Sequence, residues 1–233
     1  MTPDRAELLA LVRSSPTYVA AHDKTGWIGI FGDEYVIEDP VGSRPVRSED
    51  AGALERFWDT FIAPNEIEFQ VAQDWVDDFD VVRDVTIVTS LRPGVEVRTP
   101  AHLIYQTAYE QGTLSVRRMA AYWEPRPVYR QLMRPTRSHL GAAIGQFIRM
   151  FRNLGVGPSL QFIGAARYVG WRRKRRVLDE LAAQGISQVS KVIASGDSVT
   201  ASGMRHDAPV AVIARFAPRS RTLRDLTIYG DQA

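Results

Sequence analysis

The stretch "VEVRTPAHLIYQTAYEQG" at residues 95–112, followed directly by "TLSVRRMAAYWE" at residues 113–124, decides the fold of this chain. Both segments are rich in β-branched and aromatic residues, which favour extended strands. The glycine between them is typical of a turn. The pattern therefore predicts two long strands that follow each other along the chain.

Two further strands are predicted just upstream, and helical segments are predicted before them. The strands are "EIEFQVAQDWVDD" (66–78) and "VVRDVTIVTSLRPG" (81–94). Residues 3–22 place apolar side chains at helical spacing, and Pro16 predicts a boundary between two short helices there. "EDAGALERFWDTFIAP" (49–64) predicts another helix, opened by acidic residues. Helices followed by a meander of strands indicate an α+β fold.

The order of helices and then strands returns in the second half of the chain. The proline- and arginine-rich segment 125–138 indicates a boundary. Beyond it the sequence predicts helices over 140–155 and 158–185, a turn at Gly196 and Asp197, and strands over 187–204, 208–217 and 221–230. We therefore expect one unit over 1–130 and a second over 131–233. The second half is interpreted as a degenerate repeat that offers a partner-like face to the first.

The composition limits the class of protein. Of 233 residues, 45% are hydrophobic and 24% are charged, which is typical of a soluble globular chain. The absence of cysteine excludes disulfides, thiolate metal sites and a cysteine nucleophile. The four histidines are far apart in the sequence, so we expect no metal site. No secretory signal or apolar membrane span is indicated, and a cytoplasmic location is expected.

The charge is divided unevenly along the chain. Residues 1–133 contain 13 Lys/Arg and 21 Asp/Glu, whereas residues 134–178 contain 10 Lys/Arg and no acid. The basic segment includes five consecutive cations: Arg172, Arg173, Lys174, Arg175 and Arg176. They are predicted either to contact an anionic membrane surface or to complement the acidic front half, within the chain or across a dimer. No nucleic-acid-binding motif accompanies them.

The segment "IEDPVGSRP" at residues 37–45 presents a carboxylate at the end of an apolar run. A residue before proline is held in an extended conformation, so Asp39 is fixed at a strand end while Pro40 and Gly42 set the exit of the chain. In apolar surroundings its pKa would rise towards a value useful for taking protons. The alternative is a plain turn, since Asp-Pro and Pro-x-Gly are common turn sequences.

Four segments of the first half together resemble the bacterial steroid Δ5-isomerases, or ketosteroid isomerases. They are "TYVAAHD" (17–23), "IEDPVGSRP" (37–45), "TPAHLIY" (99–105) and "RRMAAYWE" (117–124). The resemblance covers about residues 5–126. It implies the NTF2-like or SnoaL-like fold, a cone of N-terminal helices packed on a curved antiparallel sheet.

The resemblance also implies roles for three residues. It implies that Asp39 is the base that moves a proton between two carbons near a carbonyl, and that Tyr18 donates a hydrogen bond to the dienolate oxygen. Where the family has a second acidic donor, this sequence has His102, which could donate one hydrogen bond when neutral. Tyr18 and His102 have an alternative interpretation as ordinary core side chains.

Several apolar residues are predicted to line the ligand pocket. Met119, Ala121 and Trp123 fall on one face of their strand by alternation. Trp27, Phe31 and Trp58 are further candidates from the first half. Any sheet core would need a similar row of apolar side chains, so the pattern alone does not distinguish a pocket from a core.

The function expected from these features is isomerisation of a small apolar ketone or steroid-like ligand without a cofactor. The double bond would shift by proton transfer next to the ketone. Two alternatives remain open: a dehydratase or epoxide hydrolase, for which Asp74 and Asp84 are the candidate additional acids, and a non-catalytic steroid- or lipid-binding protein. We expect either a homodimer or an intramolecular pseudo-dimer.

Overall fold

The computed structural model describes residues 3–164, 170–218 and 220–230. The first half contains α1 (Arg5–Ala20), α2 (Lys24–Ile28), β1 (Phe31–Glu38), β2 (Val46–Arg47), α3 (Ala53–Phe57) with a π-helical turn (Trp58–Ile62), β3 (Glu66–Asp77), β4 (Asp80–Arg92), β5 (Val95–Glu110) and β6 (Thr113–Tyr122). The second half contains α4 (Pro125–Leu132), α5 (Arg137–Leu154), α6 (Val156–Gly164), α7 (Trp171–Ala183), β7 (Ser187–Ser195), β8 (Ser198–Arg205), β9 (Ala208–Phe216) and β10 (Leu223–Tyr229).

The described strands form two sheets. The first has the order β2-β1-β6-β5-β4-β3, and all its pairs are antiparallel except β1 with β6. The second has the order β10-β9-β8-β7 and is antiparallel throughout. Bulges interrupt the pairing of β3 with β4 and of β5 with β6 and bend the first sheet. The predicted α+β fold, with helices on a curved sheet and a second α+β half, is confirmed.

The predicted boundary at Pro16 is wrong, because α1 runs straight through this residue. Proline lacks the N–H that would bond to the carbonyl four residues earlier. The Val12 carbonyl instead accepts a hydrogen bond from Arg83 Nη1 at 3.4 Å. Arg83 is itself held by Asp74, with Nε at 2.8 Å from Oδ1. A donor from the sheet thus replaces the one that the helix lacks.

Two other predicted helices differ in their limits. The helix predicted over 49–64 begins only at Ala53, after Gly52 in the left-handed conformation, and continues from Trp58 as a π-helical turn. The helix predicted over 158–185 corresponds to α6 and α7, while residues 165–169 lie outside the described residues. The turn predicted at Gly196 and Asp197 is confirmed between β7 and β8.

Both faces of the first sheet are buried, and they belong to different cores. One face packs under α1 and α3, where Leu103 and Tyr105 of β5 belong to the larger apolar cluster. The other face packs on the second sheet, where Ile104 of β5 meets residues such as Ile193 and Ile213. Successive residues of β5 therefore point into different interiors.

The turn after β1 and the turn between β7 and β8 touch through their backbones. Gly42 has φ +94°, and a Cβ added there would lie 2.5 Å from the Cα of Gly196. Ser195 Oγ next to it donates a hydrogen bond to the Val41 carbonyl at 2.9 Å. The second half therefore holds the segment that follows Asp39 from behind.

Replacing Gly42 by alanine should destabilise the fold more than the same change at Gly94. Gly94 also has positive φ (+76°), but a Cβ there would meet nothing within 4 Å. Backbone strain alone should lower the free energy of unfolding of Gly94→Ala by about 1 kcal/mol. Gly42→Ala adds a clash with backbone and should lose about 1 to 3 kcal/mol more. Urea unfolding of the two variants and the parent measures the difference, and equal losses would contradict the contact.

Candidate functional site

A cavity of about 210 Å³ lies between the first sheet and the helices that cover it. Most of its walls are apolar, with side chains such as Val19, Ile87 and Met119. Among the described residues that line the cavity, Asp39 alone carries a carboxyl group. Cavities of this kind, apolar with few polar groups, are typical ligand sites.

The pairing of β1 with β6 brings Asp39 to this cavity. Glu38, the last residue of β1, pairs with Ala120, so Asp39 lies beside Ala121 at the end of the strand. The Val41 N–H donates a hydrogen bond to the Ala121 carbonyl at 2.9 Å, which extends the pairing past the proline. The residues before and after Asp39 are therefore both paired with β6, and this pairing fixes the position of the Asp39 backbone.

The surroundings of Asp39 change its acidity. Burial among apolar walls raises the pKa of Asp39 to about 6, although a hydrogen bond from Trp123 acts in the opposite direction. Trp123 Nε1 donates to Oδ1 at 2.6 Å. Within the described part of the chain, no hydrogen bond is made by the second oxygen, Oδ2. A carboxyl group with a pKa near neutrality and one unoccupied oxygen can both take and return a proton.

Two further polar side chains line the cavity, Tyr105 on β5 and Ser15 on α1. Tyr105 is buried, and its hydroxyl lies 3.5 Å from Ser15 Oγ, to which Trp27 Nε1 also donates at 3.2 Å. Burial raises the pKa of the Tyr105 phenol, although the hydrogen bond with Ser15 and the charge of Arg83 act in the opposite direction. Tyr105 is therefore a neutral hydrogen-bond donor at neutral pH.

Tyr18, predicted as the oxyanion donor, does not line the cavity. It is half-buried, and its ring lies beside Gly26, where an added Cβ would be 2.5 Å from the ring. Ser15 and Val19 are the residues of α1 that face the cavity. Because each residue turns an α-helix by about 100°, Tyr18 points to the side of this face.

His102 does not line the cavity either, because it lies on the opposite face of β5. Its Nε2 contacts Ser202 Oγ at 2.9 Å and its Nδ1 contacts Thr200 Oγ1 at 2.8 Å. Ser202 donates its own proton to Asp84 Oδ2 at 2.5 Å, so it accepts from Nε2–H of His102. His102 thus joins the two sheets and cannot reach a ligand beside Asp39.

Asp84, a candidate additional acid, belongs to the same contact between the sheets. Burial alone would raise its pKa, but His102, Lys191 and Ser202 outweigh this effect and lower the pKa of Asp84 to about 2. Lys191 pairs with its Oδ1 and donates to the Val85 carbonyl at 2.9 Å. Asp74, the other candidate, pairs with Arg83. Neither carboxylate lines the cavity.

The predicted apolar wall divides into two groups. Met119, Ala121, Trp123 and Trp27 line the cavity. Phe31 and Trp58 lie behind them and pack on Trp27, with ring centroids 5.0 and 5.5 Å away. Those two residues support the wall and do not line it.

Three helices of the second half also line the cavity, a contribution that the sequence did not predict. Val128, Tyr129 and Leu132 of α4, Gln146 of α5 and Phe162 of α6 all line it. The ring of Phe162 stacks on Phe61 with 5.1 Å between centroids. The spacing of 128, 129 and 132 is the one signal that indicates an inward helix face there.

The basic run at the start of α7 is not one exposed surface. Arg173 is buried and donates to Asp197 Oδ1 at 3.0 Å and to the Ser220 carbonyl at 2.8 Å. Lys174 pairs with Glu124 and donates to the Val192 carbonyl at 2.8 Å. Of the two predicted alternatives, pairing within the chain describes Lys174, whose partner Glu124 belongs to the acidic front half, while Arg173 pairs within the second half; the other three, Arg172, Arg175 and Arg176, are exposed.

Among the described residues, no cluster of three or more His, Asp or Glu side chains is arranged to hold a metal ion. Among the described residues that line the cavity, those other than Asp39 have apolar or uncharged polar side chains. The chemistry available there is therefore that of one carboxyl group and a few neutral hydrogen-bond donors.

No protein-family model and no curated protein matches this sequence. The structure is similar to the Δ5-3-ketosteroid isomerase of Mycobacterium sp. (22% identity, TM-score 0.46, 52% of this chain and 95% of that one). It is also similar to a Mycobacterium tuberculosis protein in complex with estradiol-17beta-hemisuccinate (23% identity, TM-score 0.44, 51% of this chain and 94% of that one). A third similar structure is that of an M. tuberculosis LEH-like epoxide hydrolase (17% identity, TM-score 0.47, 61% of this chain and 98% of that one). These similarities assign no activity to the chain.

The raised pKa of Asp39 predicts that the fold loses stability as pH rises. An acid with a raised pKa in the folded state binds its proton more tightly there, so its contribution is full below about pH 3.8 and is lost as pH rises through about 6. Asp39→Asn removes this dependence. The full shift corresponds to about 3 kcal/mol, and partial exposure reduces it to about 2 kcal/mol.

Urea unfolding at about pH 4.5 and about pH 7.5 measures this effect. Relative to the parent, the free energy of unfolding of Asp39→Asn should be higher at about pH 7.5 than at about pH 4.5. Asp33→Asn, a change at an exposed carboxylate on the same strand, is the matched control and should show no such gain. A constant difference between Asp39→Asn and the parent would contradict the raised pKa.

Proposed function

We propose that this protein is an isomerase that shifts a double bond next to the ketone of an apolar, steroid-like substrate. The observation that carries the proposal is the position of the Asp39 carboxyl group in a largely apolar cavity, where burial raises its pKa to about 6. A base of this pKa is partly ionised at neutral pH and returns its proton readily. The sequence resemblance supports the same role for Asp39.

The proposed reaction moves one proton and leaves the substrate formula unchanged. Asp39 Oδ2 takes a proton from the carbon between the ketone and the double bond, and the electron pair shifts onto the carbonyl oxygen as a dienolate. Asp39 then returns the proton to the far carbon of the former double bond, and the carbonyl re-forms. The Trp123 N–H keeps Oδ1 in place through both steps.

The dienolate needs a hydrogen-bond donor, and we assign this role to Tyr105, one of the neutral donors that line the cavity. Tyr18 and His102 lie outside the cavity walls, whereas the Tyr105 hydroxyl is buried inside them. A neutral phenol stabilises a developing oxyanion without placing a fixed charge in an apolar site. The proposal therefore keeps the base implied by the resemblance and assigns the donor to a different residue.

A non-catalytic steroid- or lipid-binding protein is the second candidate. The displacement of both predicted donors from the cavity favours it, because the site then has fewer groups for catalysis. The epoxide hydrolase and dehydratase alternatives have less support. They need a further acid beside the base, and Asp74 and Asp84 are engaged elsewhere.

We further infer that the unit over 131–233 acts as an intramolecular partner for the unit over 1–130. The second sheet covers the outer face of the first through an apolar cluster that includes Trp75, Tyr122 and Tyr229. Trp75 Nε1 also donates to the Pro209 carbonyl at 2.7 Å. This arrangement favours the pseudo-dimer over a homodimer formed through the same face.

Conversion of a β,γ-unsaturated 3-ketosteroid to its conjugated isomer, followed by absorbance, tests the reaction. Asp39→Asn should lower kcat/KM by about 10²–10⁴, since it removes the base. Tyr105→Phe should lower it by about 10²–10³, since it removes the donor. Tyr109→Phe is the matched control, because Tyr109 lies on the same strand and bonds to Glu7 outside the cavity.

Binding separates the two candidate functions. Steroid binding is read from quenching of tryptophan fluorescence, since Trp27 and Trp123 line the cavity. Turnover that falls in both cavity variants and not in Tyr109→Phe supports the isomerase. Steroid binding without turnover in the parent would favour the binding protein. If the parent shows no binding and no turnover, steroids are excluded as the ligand class.

A further inference from the structure

The outer face of α5 carries a row of exposed apolar side chains. Leu140, Ile144, Ile148 and Phe151 are 42, 59, 61 and 36% exposed. Their spacing of three and four residues places them along one stripe of the helix. In α6 the row continues with Val156 and Leu160, which are 65 and 56% exposed. We call these six residues the apolar stripe.

Soluble monomeric proteins rarely leave such a continuous apolar surface in water. Amphipathic helices of globular proteins normally turn their apolar side inward. Here α5 has apolar residues on both sides, since Ala142, Ala143 and Met150 on its inner side are buried. The stripe is therefore in excess of what the core requires and indicates a contact outside the chain.

The charges around the stripe identify the kind of contact. Residues 134–178 contain ten Lys/Arg and no acid. Arg134 lies just before α5, Arg137 at its start and Arg152 near its end, and all three are exposed. Residues 138–148 contain no Lys, Arg, Asp or Glu, and the remaining cation of α5, Arg149, is half-buried and donates to Gln146 Oε1 at 2.9 Å. An apolar stripe bordered by arginines complements the surface of an anionic bilayer, whose headgroups attract cations while its acyl region accepts apolar side chains.

The same two helices also close the cavity. Gln146 of α5 lines it and donates to the Thr60 carbonyl at 3.3 Å. Phe162 of α6 lines it and packs against Phe61 and Trp123. Leu154 and Pro158 line an adjoining cavity that also includes Asp39. The helices that carry the stripe on their outside therefore separate the cavity from the surroundings.

We propose that α5 and α6 dock on an anionic lipid bilayer through the apolar stripe, with the flanking arginines at the headgroups. No described helix is long and apolar enough to cross a membrane, so α5 would lie in the plane of the interface. A second copy of the chain is a poorer occupant, because pairing two such surfaces brings two sets of cations together. Docking places the cover of the cavity against the phase in which apolar ligands concentrate.

Flotation of the full chain with lipid vesicles tests the docking. The parent should bind vesicles of phosphatidylcholine and phosphatidylglycerol and bind phosphatidylcholine alone about tenfold or more weakly. Ile144→Glu/Ile148→Glu should lower the bound fraction on the mixed vesicles by about tenfold or more, since both side chains are exposed and the fold does not need them. Val71→Glu changes a 40% exposed apolar residue of β3 and serves as the matched control.

Variants that remove positive charge test the proposed contact between the flanking arginines and the lipid headgroups. Arg137→Gln/Arg152→Gln should weaken binding to the mixed vesicles severalfold, and so should about 0.5 M NaCl, by screening. Far-UV circular dichroism and thermal unfolding of each variant show whether it is folded. Sedimentation equilibrium of the parent, at the same protein concentration, reports the oligomeric state.

The outcomes are decisive for the stripe. Loss of vesicle binding in the Ile144/Ile148 variant, with Val71→Glu unchanged and all variants folded, supports docking. Equal binding by that variant and the parent overturns it, as does failure of the parent to bind anionic vesicles. A dimer that the same variant dissociates, without vesicle binding, would assign the stripe to a second copy. Asp39→Asn should bind vesicles as the parent does, so this test is independent of the proposed reaction.

Discussion

The six-stranded sheet has apolar side chains on both faces, so neither face can be left to water. The helices of the first half, together with α4, α5 and α6, cover one face and leave a cavity under them. The other face is covered by the second sheet, whose β7–β8 turn meets the segment after Asp39 at the Gly42–Gly196 contact. Because that segment positions the carboxyl group, the β7–β8 turn supports the site although the turn itself does not line the cavity. The covering of one face therefore fixes the geometry on the other.

The contact between the two sheets is not purely apolar. Asp84, His102 and Lys191 form a buried polar network in it, with Thr200 and Ser202. Such a network stabilises less than apolar residues of the same volume, but a misaligned pairing would leave its charges without partners. It therefore favours one register of the second sheet over others. The depressed pKa of Asp84 fits this role, since a carboxylate so well compensated is a poor proton carrier at neutral pH.

The sequence predicted the strands of the meander, the α+β class and the position of Asp39, but not the partners of Asp39. In β5 the apolar residues run without alternation because both faces are buried, so the pattern cannot say whether His102 or Tyr105 faces the cavity. The rule that predicts a helix boundary at Pro16 is local, whereas the donor that replaces the missing N–H of this proline, Arg83, comes from a strand. The cover by α4, α5 and α6 lies beyond the resembling segment, and only tertiary packing places it over the cavity. Local patterns thus located single residues, while the pairing of distant elements decided which of them meet.

The placement of Asp39 bears on the choice between a turn residue and a base. A turn needs Pro40 and Gly42, and a carboxylate that served only the turn would be at least as stable in water. Here the carboxyl group instead faces apolar walls that raise its pKa, at a cost in stability above pH 6 that asparagine would avoid. Trp123 donates to one of its oxygens, and the other makes no hydrogen bond within the described part of the chain. A ligand that displaced water from this space would raise the pKa of Asp39 further, so that uptake of a proton from the ligand would become more favourable as the cavity fills. This coupling of binding to proton transfer is expected of a base and has no use in a turn.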